Sequence, residues 1–260
     1  MFSIRVAGVT IRLEGAVESA ARRYAPYAQA GTPDLVLELV EGEPPKSRRW
    51  PFPSVTRDRG VIVASRRDFC ATVSRGRGRA ITRGDPKAID SVLRILLSEI
   101  LAERGGMLVH SAAIGGRLFP GKTDAGKTTL ASLAGASRVL SDELPAVVPA
   151  RSGFDLFGTP FWGSFVRGTN LERRRLRSVF FLDRHRREWI RRIDAADAAV
   201  RLLECVLCFL DEDARARNFL SSAARVVSSV PCFALSYDAT RTGWRELSRR
   251  LDEADPSAAR

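Results

Sequence analysis

Apolar and polar residues alternate through MFSIRVAGVTIRLEG, and this period predicts a half-buried strand over Ser3–Leu13. Shorter alternating runs predict strands at Asp34–Leu39, Gly60–Ala64, Phe69–Ser74 and Arg79–Thr82, with a short helix over Glu18–Tyr27. Pro44, Pro45, Pro51 and Pro53 mark an irregular connection around Trp50. The period then changes. Ile89, Val92, Leu93, Leu96, Leu97 and Ile100 recur every three or four residues and predict one buried helix face. Asp85 is suited to cap that helix, Pro86 to open it, and Gly105-Gly106 to end it.

Beyond this helix, Met107–Ile114 and Arg117–Phe119 predict two strands joined by a Gly115-Gly116 hairpin turn. Thr128–Leu133 predicts a helix, and Arg138–Leu140, Ala146–Val148, Phe154–Phe157 and Ser178–Leu182 predict strands. The last part reads as helix Ala195–Leu210, helix Ala214–Val227, strand Cys232–Ser236 and helix Trp244–Glu253. The expected fold class is α/β. Residues 1–84 form a smaller strand-rich region, residues 85–253 a domain on a mixed sheet, and residues 254–260 a tail.

The chain has 260 residues, 45% of them hydrophobic, which is enough to build a core. No apolar run reaches 18 residues, so no membrane span is expected. The N-terminus lacks the basic-then-apolar layout of a signal peptide, and the expectation is a cytoplasmic chain. Cys205 and Cys208 form a CxxC inside AVRLLECVLCFL. With no second CxxC and no histidine nearby, they are read as buried thiols on one helix face rather than as a metal or redox pair.

The formal charge of +12 rests on 42 basic residues, of which only Lys46, Lys87, Lys122 and Lys127 are lysines. Two of those four fall in Gly121-Lys122-Thr123-Asp124-Ala125-Gly126-Lys127-Thr128, which satisfies GxxxxGK[ST] in full. The glycines let backbone N–H groups close around phosphate oxygens, and the following helix presents its N-terminal dipole to the same anion. A compact ammonium reaches into such a loop where a guanidinium is too bulky. Gly121 to Thr128, with Thr129, are therefore the expected nucleotide-binding residues. Lys127 neutralises the β- and γ-phosphates, and the Thr128 hydroxyl ligates Mg²⁺. Asp124 is a charge where a small residue is usual; it either lowers affinity or points outward.

Asp142-Glu143 follows the strand Arg138–Leu140, only fifteen positions after Lys127. A carboxylate at a strand end beside a phosphate loop holds Mg²⁺ or acts as a base, and Asp142 is read in one of these roles rather than as a turn residue. His110 lies one strand before the loop; it is either a hydrogen-bonded core histidine or a neighbour of the γ-phosphate. His185 is expected at the surface. The run Arg75-Gly76-Arg77-Gly78-Arg79 is read as a solvated hairpin turn rather than a nucleic-acid site.

On these residues the chain resembles the catalytic domain of HPr kinase/phosphorylase and its relatives, whose phosphate-loop fold is related to that of phosphoenolpyruvate carboxykinase. The similar stretch runs from about Gly106 to Leu182 and includes LVHSAAI, GKTDAGKTTLASL, VLSDELPAVV and RRRLRSVFFLDR. The resemblance implies that His110 matches an active-site histidine and that Lys127 and Thr128 bind phosphates and Mg²⁺. It also implies that Asp142 takes the proton of an acceptor serine, and that Glu143 stands where the family has a second aspartate. FGTPFWGSFVRG departs from the family's glycine-rich segment, with Arg167 the candidate for its arginine, and HPr itself is not the expected substrate.

The expected function is transfer of a phosphoryl group from ATP or another nucleoside phosphate, with Mg²⁺, to a serine-type hydroxyl on a peptide, protein or small molecule. Asp142, His110 and Lys127 would be catalytic, and Thr128, Asp142 and Glu143 would hold the metal. The alternative is a non-catalytic, nucleotide-gated binding or regulatory protein, with nucleic acid as one candidate partner on account of the basic charge. On the first of these readings, nucleic acid and membrane are not expected partners; a homo-oligomer is a further option.

Overall fold

The structure is a computed structural model that describes residues 1–45, 52–163, 173–184, 187–209, 213–239 and 241–255. Trp50, Arg167 and His185 lie outside the described residues. The chain is of mixed α/β type and divides into two compact units, Met1–Ile100 with Phe209–Arg215, and Leu101–Cys208 with Ala216–Arg260. Among the described residues, no helix is long and apolar enough to cross a membrane.

The first unit is built on seven strands: β1 (Phe2–Val6), β2 (Val9–Gly15), β3 (Leu35–Glu41), β4 (Ser54–Asp58), β5 (Val61–Arg66), β6 (Phe69–Ser74) and β7 (Arg77–Thr82). They form one sheet in the order β1-β2-β3-β7-β6-β5-β4. Helix α1 (Glu18–Tyr24) follows β2, and α2 (Pro86–Glu103) follows β7. The single strand expected over Ser3–Leu13 is a hairpin. Ala7 and Gly8 both take positive φ (51° and 82°), the geometry of a two-residue hairpin turn, and the alternation runs on across it. The Asp85 carboxylate accepts from the Lys87 amide at 2.9 Å and Gly105 takes φ 71°, so α2 starts and stops where its sequence says. The arginine-glycine run forms the β6–β7 turn at Arg75-Gly76 and the start of β7.

The second unit contains two sheets. Its strands are β8 (Met107–Leu108), β9 (Ser111–Ile114), β10 (Arg117–Pro120), β11 (Val139–Ser141), β12 (Ala146–Pro149), β13 (Phe154–Phe157), β14 (Arg173–Arg175), β15 (Ser178–Leu182), β16 (Trp189–Arg192) and β17 (Cys232–Ser236). The four-stranded sheet has the order β14-β13-β12-β8, and the six-stranded sheet β11-β9-β10-β15-β17-β16. In the latter, β10 pairs in parallel with β15, and β15 with β17. Because β9 is antiparallel to both β10 and β11, β11 also runs with β10. The C-terminal ends of β11, β10, β15 and β17 therefore share one edge.

Helices α3 (Lys127–Ala134), α4 (Ala195–Leu203), α5 (Asp213–Ser229) and α6 (Trp244–Ala254) belong wholly or mainly to this unit. Phe119, Phe180 and Phe233 stack across β10, β15 and β17 with centroids 5.7 and 4.8 Å apart. They share a core cluster with Leu130 and Ala131 of α3 and with Leu247 and Leu251 of α6. Leu118, Val179 and Phe181 join a second cluster with Ala198 and Leu202 of α4 and Phe219 and Ala223 of α5. Residues alternate between these two clusters along β10 and β15, as a strand covered on both faces requires.

Further expected elements are corrected. The strand Met107–Ile114 breaks at His110, and its halves enter different sheets. The helix Ala195–Leu210 stops at Leu203, because Val206 bridges to Val109 and the Leu207 amide donates to the Leu108 carbonyl at 2.9 Å. Strand pairing there displaces the helical ladder. The tail expected from residue 254 begins later: helix α6 runs through Ala254, and Asp255 is buried.

Candidate functional site

Strand β10 runs into the loop Gly121–Gly126, and α3 begins at Lys127. Gly121 admits no side chain: a Cβ there would stand 2.8 Å from the Ala125 Cβ and 3.2 Å from the Leu182 Cβ. Gly126 precedes α3 at φ 100°, a left-handed position suited to glycine. Asp124 also has positive φ (64°) and is exposed, which accounts for its residue type. A short polar side chain tolerates this conformation where most do not, and its charge faces outward.

Lys127 is 7% exposed, and its Nζ donates to the carbonyls of Gly121 (2.7 Å) and Lys122 (2.8 Å). Burial pushes its pKa below the usual 10.5, while Glu143, Asp124 and Asp142 act in the opposite direction. Thr128 is half-buried in the first turn of α3; Lys122, Thr123 and Thr129 are exposed.

Asp142 and Glu143 follow β11 at the same edge. Asp142 is 2% exposed, and its Oδ1 accepts from the Gly163 amide at 3.0 Å. Both carboxylates lie close against Gly163, where a Cβ would approach Glu143 Oε2 to 2.6 Å and Asp142 Oδ2 to 3.0 Å. The Ser141 hydroxyl accepts from the amides of Glu143 (3.4 Å) and Leu144 (3.2 Å) and fixes the turn. His110 sits at the open end of the β9–β10 hairpin. Its carbonyl accepts from the Gly121 amide at 3.4 Å, and its amide donates to the Cys205 carbonyl at 2.7 Å. The loop, the acidic pair and the His110 backbone are thus neighbours, as their positions in the sequence suggest.

Four further residues at this edge were not expected at the site from the sequence. Asp183 and Arg184 follow β15, and Tyr237 follows β17. The Tyr237 hydroxyl donates to the Gly126 carbonyl at 2.8 Å, and burial pushes its pKa up to about 12. The fourth is Cys205, buried beside the loop, with a thiol pKa raised by burial and opposed by Lys127. All four cysteines are thiols rather than disulfides, and Cys208 is only half-buried. The signal for Asp183 and Tyr237 lay in the ends of their strands, since ligands of α/β sheets bind beyond the carboxyl ends of parallel strands. Nothing in the sequence marked Cys205 as a neighbour of the loop.

Two hollows flank the loop. One, of about 510 Å³, is lined by Gly121, Lys122, Thr123, Asp183, Arg201, Glu204 and Cys205, among others. Ion pairs engage much of its charge: Arg201 with Asp183 (3.1 Å) and Asp197 (3.2 Å), and Lys122 with Glu204 (3.0 Å). The other, of about 430 Å³, is lined by Ala125, Gly126, Thr129, Asp183, Arg184, Tyr237 and Ala239. A larger hollow along α6, about 620 Å³, includes no residue of the loop or the acidic pair.

These features define a mixed α/β protein whose GxxxxGKT loop and buried carboxylate occupy one shared strand edge. The family model of ScmC, described as SynChlorMet cassette protein ScmC, matches residues 88–252, more than half of the chain, and the chain belongs to that family. This corrects the resemblance to HPr kinase/phosphorylase drawn over about Gly106 to Leu182: the matching family is not a kinase family by description. No curated protein matches the chain.

Proposed function

We propose that the loop Gly121–Thr128 binds the phosphates of a magnesium nucleoside triphosphate, in a phosphate-loop phosphotransferase domain that moves the terminal phosphoryl group to a hydroxyl acceptor. The observation that carries this reading is the juxtaposition of Lys127 in its loop with the buried Asp142 at the ends of strands running the same way. The loop is tightly closed at Gly121, where Ala125 and Leu182 leave no room for a side chain, and it leads straight into the N-terminus of α3, an arrangement that suits a polyphosphate. Among the described residues, no group of three or more His, Cys, Asp or Glu could hold a metal alone. Mg²⁺ instead takes one or two carboxylates together with substrate phosphates, which suits Thr128, Asp142 and Glu143. The ion, when bound, neutralises charge on the phosphates. Lys127 holds the donor, Asp142 accepts the proton of the attacking hydroxyl, and His110 stands beside the loop to orient the acceptor. The word cassette in the family description makes the other products of that cassette the first acceptors to test.

A second reading, a nucleotide-gated binding protein without catalysis, draws on the Gly163 amide that covers Asp142. One experiment addresses both. Calorimetry should show that Lys127→Ala loses Mg-ATP binding, whereas Asp142→Asn still binds the nucleotide but needs more magnesium to do so. With an acceptor in hand, Asp142→Asn should transfer phosphate about 10²–10⁴-fold more slowly. Unchanged affinity in Lys127→Ala overturns the reading of the loop. Tight binding by the wild type with no transfer to any acceptor supports the second reading.

A further inference from the structure

The two hollows beside the loop differ in what they offer. In the one of about 510 Å³, Arg201, Lys122 and their acidic partners already satisfy one another. The one of about 430 Å³ has another character. Its wall combines the aromatic Tyr237, the small apolar Ala125 and Ala239, the Asp183 carboxylate and the Arg184 guanidinium. An apolar and aromatic lining with a few polar groups is the usual make-up of a small-molecule site. Gly126 and Thr129 line this hollow too, so it opens directly beside the N-terminus of α3, where a phosphate is favoured.

We infer that this hollow, at the ends of β15 and β17, is the nucleoside subsite of the loop, with Tyr237 as the surface against which the base packs. The inference rests on the nucleotide reading above and adds the residues that hold the other end of the ligand. Tyr237 is tied to the loop through its hydroxyl on the Gly126 carbonyl, so its ring is positioned before a ligand arrives. Asp183 accepts from Arg201, yet a carboxylate has lone pairs left for the hydroxyl or amino donors of a nucleoside. Arg184 adds a cation at the border of both hollows.

Inorganic tripolyphosphate separates the two ends of the ligand, because it has the phosphates and no nucleoside. Calorimetry on the full chain should give tighter binding of Mg-ATP than of Mg-tripolyphosphate. Tyr237→Leu should weaken Mg-ATP by about tenfold to a hundredfold, the range that base–aromatic stacking supplies, and leave tripolyphosphate nearly unchanged. Tyr237→Phe keeps the ring and should bind ATP close to wild type. Should Tyr237→Leu not fold, intermolecular NMR contacts between the adenine protons and the Tyr237 ring in the wild-type complex give the same answer. A parallel loss of both ligands in Tyr237→Leu, or the absence of those contacts, overturns the inference and leaves Tyr237 as a support of the loop. Equal wild-type affinities for the two ligands overturn it as well. If the wild type binds neither ligand, the loop reading fails and this one falls with it.

Discussion

Lys127 holds a charge in surroundings that disfavour one: it is almost wholly buried, and burial lowers its pKa from the usual 10.5. A polyphosphate placed against it raises that pKa again, since an adjacent anion favours the ammonium. The complex then binds more protons than the free chain once pH passes the lowered value. Linkage fixes the sign: Mg-ATP affinity should be flat below that pH and fall as pH rises above it, with proton uptake on binding. Calorimetry in alkaline buffers of different ionisation enthalpy measures both, and an affinity that holds steady through this range would count against Lys127 as the phosphate ligand. At this scale much was legible. The motif singled out Lys127 and Thr128, and Asp142, fifteen positions on, follows a strand that ends at the same sheet edge. The Asp124 conformation was not legible, because a residue's φ is set by the closed loop around it rather than by its own type.

Among the elements, Phe154–Phe157, Ser178–Leu182 and Cys232–Ser236 have the bounds their patterns predict, because each is a short apolar or alternating run between turn residues. The patterns fail where partners outside the segment decide. LVHSAAI reads as one strand, yet its halves answer to different sheets; AVRLLECVLCFL keeps helical spacing past Leu203, yet strand bonds claim Val206 and Leu207. No window of local sequence contains those partners. The loop depends on a similar close fit, between β10, its own turn and the end of β15. Gly121→Ala would drive a methyl against Ala125 and Leu182. The loop must then open, and Mg-ATP affinity should drop by about tenfold or more while circular dichroism stays that of the wild type. A Gly121→Ala chain that binds as well as the parent would show that the loop yields without cost.

For the whole molecule, charge is the property that composition makes plainest: +12 formally, with a sequence pI near 10.6. Such a surplus attracts polyanions without reading their sequence. A labelled DNA duplex should therefore bind weakly, irrespective of sequence, and lose more than about a hundredfold in affinity between roughly 50 and 200 mM salt. Fluorescence anisotropy tests this, and salt-resistant binding to one sequence over others would make nucleic acid a specific partner. The layout of the second unit, with two sheets in place of one, was hidden from the sequence because both are stitched from strands far apart in the chain. His110 is where they are spliced. Its amide is held by the segment beyond α4, and its carbonyl holds the first glycine of the loop. A displacement at the end of α4 thus reaches the loop by two routes, the main chain of His110 and the ion pair between Glu204 and Lys122, like tension shared between two links.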